Sequence, residues 1–130
     1  MSFDWADGTY PFALRLGQIE ELQERADCGP LALFERLNNG SWRAGDLRET
    51  IRLGLIGGGC EPVKALGLVR RYVDARPLME SLMPARAILA AALWGVEDDQ
   101  PKKSRRARKR RPRPDETESS ASPNSTEPAP

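Results

Sequence analysis

The chain has 130 residues, with 20 Lys and Arg against 19 Asp and Glu, no histidine and two cysteines. Without histidine the commonest general base and metal ligand are missing, and Cys28 and Cys60 lie too far apart for a zinc spacing. The near-neutral total hides a division at about Asp98: residues 1–98 carry 11 basic and 14 acidic side chains, residues 99–114 nine and one, and residues 115–130 none and four.

The first sixteen residues read as a β-hairpin. Asp7-Gly8 is the dipeptide favoured in a two-residue turn with positive φ at both positions, and it predicts Trp5 opposite Tyr10 and Phe3 opposite Phe12. Leu14 and Leu16 continue the alternation. Pro11 has no N–H, so its strand must lie at an edge or turn that side outward. A hairpin alone is marginal in water, so its aromatic face needs a support.

Helices follow. The first is expected over 18–26, with Ile19, Leu22 and Ala26 inward and Glu20, Glu21 and Glu24 outward. The second is expected over 30–38, where Pro30, Leu33, Phe34 and Leu37 recur at helical spacing. Asp46 with Glu49 three residues on forms a capping-box pattern, and Leu47, Ile51 and Leu55 share one face with Thr50 and Gly54. Gly57-Gly58-Gly59 ends that helix, and Pro62 opens another at its first turn. This fourth helix is apolar around more than half its circumference (Val63, Ala65, Leu66, Leu68, Val69, Tyr72, Val73), which predicts neighbours on two sides and a central position. After Pro77 a short helical turn is expected over 78–82, then a helix from Pro84 to about Gly95, or one helix kinked at Pro84. That last helix is apolar on every side. Beyond Glu97 no periodicity or large aliphatic survives, so the tail is expected to be disordered. The predicted fold is mainly α: a hairpin (1–16) packed on about five helices (17–96) in a domain over 1–98, with a basic-then-acidic tail over 99–130.

No catalytic constellation emerges, so an enzyme is not expected, and neither a metal nor another cofactor is implied. The glycine run before Lys64 resembles a phosphate cradle only superficially. A helix rather than a strand precedes it, no GK[ST] follows, and a helix cap explains it better. No basic segment followed by an apolar run marks a secretory signal, and the longest apolar stretch, Ala87 to Val96, is too short to cross a bilayer. No membrane partner is expected, and the cysteines are expected reduced.

Two features are candidates for binding. An all-apolar terminal helix belongs by default to a core, but Ile88, Leu89, Leu93 and Trp94 would form a docking surface or a self-association patch if exposed. The run Lys102, Lys103, Arg105, Arg106, Arg108, Lys109, Arg110, Arg111 and Arg113 could contact a polyanion in a salt-sensitive way. It has no aromatics for base stacking, so nucleic acid would be bound without sequence preference. The plainer reading is a solvated, disordered tail that transiently touches the chain's own acidic end or an acidic partner.

The segments WADGTYPFALRLGQIEELQERADCGPLALFERLNNGSWRAGDLRETIRLGLIGGG, LVRRYVDARPL and AILAAAL resemble the small tail proteins encoded with gene transfer agents and related prophages. That family is grouped with phage tail assembly chaperones and also carries the label tail tube protein. The resemblance spans Trp5 to Gly95 and leaves out the charged tail. It implies a non-enzymatic protein of the bacterial cytoplasm that coats the tape-measure protein and helps recruit tube subunits and other tail proteins. In several such families a frameshifted longer form exists. The alternatives kept open are a structural component retained in the particle and a nucleic-acid-binding module acting through Lys102–Arg113.

Overall fold

In a computed structural model the structure describes residues 1–96. Two strands, β1 (Ser2–Trp5) and β2 (Gly8–Pro11), lead into α1 (Leu16–Ala26), α2 (Pro30–Asn39), α3 (Ala44–Gly57) and α4 (Pro62–Val69). A π-helical turn (Arg70–Asp74) and a 3₁₀ turn (Leu78–Ser81) precede α5 (Leu82–Trp94). The fold is therefore mainly α with an N-terminal hairpin, as the periodicities predict. The expected tail disorder falls outside the described residues.

The hairpin forms, but its register differs from the expected one. Phe3 pairs with Tyr10 and Trp5 with Gly8, so the loop is Ala6-Asp7, with positive φ at Ala6. The slip moves every pairing by two residues, which keeps each aromatic on its predicted face. Phe3 still stacks on Phe12 at 4.5 Å, and Trp5 meets Tyr10 edge-on at 5.8 Å, now as diagonal neighbours. Met1 and Phe12 exchange both backbone hydrogen bonds, which fixes the register from the open end.

The hairpin rests on the C-terminal end of α3, and glycines make this contact close. A Cβ on Gly57 would lie 1.9 Å from the Ala13 carbonyl oxygen, and one on Gly58 would lie 2.2 Å from that of Pro11. Both positions thus serve backbone-to-backbone packing; of the three glycines only Gly59 has positive φ. Gly54 completes the seat, with Phe12 and Ile88 side chains where its own would be. Its carbonyl takes two donors, the Gly58 N–H and the Ala13 N–H, each at 3.0 Å.

Helix α3 is the centre of this unit, a place the sequence reading gave to α4. Nine of its 14 residues are buried, and it packs against α1, α4 and α5. α4 buries Ala65, Leu68 and Val69 but leaves Val63 exposed. The cap also differs from expectation. The helix starts earlier, at Ala44, and Asp46 in its first turn accepts the Arg43 N–H at 2.8 Å. Glu49 is inside, held by Arg52 at 2.7 Å and Arg48 at 3.0 Å. α5 begins two residues before Pro84, because a proline in the first turn removes an N–H that has no helical partner there.

Candidate functional site

Helices α2 and α5 lie side by side and leave an apolar surface between them. Leu33 and Leu37 turn α2 inward, which leaves Phe34 half-buried and Leu31 exposed on its flank. On α5, Ala85, Ile88 and Leu89 face the core. The residues left over are Met83 and Trp94, each 64% exposed, and the small side chains of Ala87 and Ala90. Trp94 reaches across to Phe34, edge to face at 5.0 Å, in the favoured geometry for an aromatic pair. A groove of ≈ 190 Å³ runs between Phe34, Met83, Arg86, Ala87 and Ala90.

One charge lies in this groove. Arg86 donates through Nη1 to the Met83 sulfur at 3.4 Å, and its buried Nε–H has no acceptor among the described residues. A buried donor without a partner is costly, so the groove holds one unmet polar demand in an apolar wall.

The four expected docking residues are therefore divided by the structure. Ile88 and Leu89 are 1% and 0% exposed and belong to the core. Leu93 is half-buried and Trp94 is at the surface. A partner approaching α5 would meet Trp94 and Met83, with Phe34 beside them, and would reach Ile88 and Leu89 only as the support beneath. Phe34 and Met83 escaped the sequence reading for definite reasons. Phe34 fits the inward stripe of α2, and starting α5 at Pro84 left Met83 outside it. The signal that could have found them is the surplus of apolar residues on both helices beyond what one stripe needs. The basic run Lys102–Arg113 lies outside the described residues.

Other charged clusters are structural. Arg36 spans α2 and α3, bonding Asp46 at 3.2 Å and the Ala26 carbonyl at 3.1 Å. Arg52 joins Glu49 and Glu21. Burial would push the Glu21 carboxyl up, but hydrogen bonds from Arg52 and Arg25 outweigh it and hold it below the ordinary range. Hydrogen bonding to Glu49 is the main cause that raises Arg52. Burial pushes the Cys60 thiol up, away from the thiolate a reactive cysteine needs. Among the described residues no group of three or more His, Cys, Asp and Glu could hold a metal ion. The glycine elbow is filled by the chain's own Pro11 and Ala13 carbonyls, and Glu61 already caps α4 at the Lys64 N–H. No helix of the described residues is long and apolar enough to cross a membrane.

Comparison with known proteins gives one family. No curated protein and no solved structure matches the chain. The family described as "Phage tail tube protein, GTA-gp10" matches residues 1–95, which is the whole hairpin and helical unit, and the chain belongs to that family of phage tail proteins.

Proposed function

We propose that this protein is a non-enzymatic tail assembly chaperone. In this reading it holds the tape-measure protein of a phage-like particle in the bacterial cytoplasm while tube subunits and other tail proteins assemble. The observation that carries the reading is the α2–α5 surface, where exposed Met83 and Trp94 flank a groove floored by alanines. Such a surface suits the apolar face of a client helix, since small residues let a helix approach closely and Met and Trp supply adaptable contact area. The architecture supports the same reading. A subunit that stacks into β-rings needs extensive sheet, and the described residues contain two strands of four residues each. The functional unit in this reading is residues 1–98, and the charged segment 99–130 is a separate part whose basic run contacts an acidic partner.

A second reading has its own support in the family's description as a tail tube protein: a structural component retained in the particle. Mass spectrometry separates the two. A chaperone co-purifies with the tape-measure protein from assembling cells and is missing from finished particles. Abundance in finished particles would overturn the chaperone reading in favour of the structural one.

A further inference from the structure

The hairpin leaves one strand edge open. Because Met1 and Phe12 exchange hydrogen bonds, the alternation of an antiparallel ladder makes Phe3·Tyr10 and Trp5·Gly8 the other bonded pairs. The N–H and C=O groups of Ser2 and Asp4 then point away from β2, along the outer edge of β1. Among the described residues these groups have no hydrogen-bond partner. Pro11, opposite Ser2, turns its missing N–H to the outer side of β2, so that edge lacks a donor there while the β1 edge keeps its donors.

Beside the β1 edge lies a cleft of ≈ 480 Å³ between the hairpin and the Arg70–Ser81 segment. Trp5 and Tyr72 form its aromatic wall, edge to face at 6.0 Å. Ser81 also lines it. That residue is 1% exposed, and its hydroxyl has no partner among the described residues. Two carboxylates are present as well. Arg76 holds Glu80 through both oxygens, at 2.9 and 3.1 Å, whereas Asp4 accepts only from the Thr9 hydroxyl and has no cationic partner among the described residues.

We infer that the outer edge of β1 is a strand-addition site for an extended segment of another polypeptide, one that carries a basic side chain. The backbone of the incoming segment satisfies Ser2 and Asp4, its arginine or lysine pairs with the Asp4 carboxylate, and the neighbouring side chain on the other face enters the cleft toward Ser81. Open strand edges are templates for pairing, and among the described residues this one is not blunted by proline, lysine or a covering loop. The inference is independent of the client proposed for α2 and α5.

A blocked synthetic peptide of alternating threonine and arginine tests it, with the threonine–glutamate peptide as control. The readout is amide hydrogen exchange at Asp4 in the full chain, followed by NMR. The arginine peptide should slow exchange of the Asp4 amide by about tenfold or more, the scale of one backbone hydrogen bond, and the glutamate peptide should leave it unchanged. Asp4→Pro removes one outward N–H and the carboxylate together without touching the internal ladder, and should abolish the protection that the arginine peptide gives the other outward amide, that of Ser2. Ser81→Ala should weaken binding while the thermal midpoint stays or rises, because it deletes an unsatisfied hydroxyl. Unchanged exchange with the arginine peptide, equal protection by both peptides, or full binding by Ser81→Ala would overturn the site. The Ser81 variant keeps the test decisive if Asp4→Pro fails to fold.

Discussion

Helices α3 and α5 have similar lengths, 14 and 13 residues, and pack against each other. Four residues of α3 are charged, against one of α5, yet α3 buries nine residues and α5 three. The difference comes from what surrounds each helix. α3 is enclosed by α1, α4, α5 and the hairpin, so its charges had to be paired inside: Asp46 with Arg36, Glu49 with Arg52. Its glycines let the hairpin backbone close over its end. α5 has neighbours on one side, and its surplus of apolar residues is left facing outward. Burial here follows the number of neighbours, and hydropathy alone ranks the two helices in the wrong order.

Substitutions can break this contrast. Asp46→Ala should have the largest effect, about 4 kcal/mol, because it removes a buried acceptor and strands the half-buried Arg36 guanidinium. Denaturant titration would read it, and a loss near 1 kcal/mol would mean the pair is as weak as a surface one. Gly57→Ala should follow at about 3 kcal/mol, since the added methyl meets a carbonyl oxygen that belongs to backbone and cannot rotate away. Hydrogen exchange should show the hairpin released first, and a stability equal to wild type would mean the seat is not formed as described. On the other helix, Trp94→Ala should cost only about 1 kcal/mol, from the lost pair with Phe34. The same change should strongly reduce co-purification of the tape-measure protein, and intact co-purification would remove the α5 surface from the proposed function. Gly67→Ala, in open space on α4, should stabilise by roughly 0.5–1 kcal/mol, which serves as a control for the crowded glycines. The smallest effect is electrostatic. Glu21 has its carboxyl held low in the folded state, so its contribution is fully present above the ordinary value of 4.5 and lost as pH falls through the lowered one. Glu21→Gln should flatten the acid limb of a stability–pH curve slightly, and an unchanged limb would show the pairing to be too exposed to matter.

Much of this architecture is legible in the sequence. The five helices, the hairpin and the aromatic face of Phe3, Trp5, Tyr10 and Phe12 follow from periodicity and turn chemistry. Other features depend on partners distant in the chain. The turn dipeptide Asp7-Gly8 lost its register to contacts made elsewhere, the Met1–Phe12 bonds and the packing of Trp5 on Tyr72. Glu49 looked like part of a cap until Arg25, Arg48 and Arg52 converged on it. The glycine run is legible as a helix end, but its tightest reason, the approach of Pro11 and Ala13, has no local signature. For the candidate surface, the right helix was legible and the right face was not. A helix apolar on all sides gives no direction by itself, and only the placement of α2 and α3 decides which residues remain outside.

The glycine seat also imposes an order in time. Arg15 and Gly57, which meet at 3.1 Å, are 42 residues apart in the chain. A ribosome adding roughly 5–20 residues per second therefore delivers the hairpin about 2–8 s before the helix end it rests on. Through that interval four aromatic side chains have nothing to cover them, and a two-stranded ribbon of this size does not hold its shape unaided. The hairpin is thus made well before its seat, so the newborn chain has a window in which it needs shelter of its own.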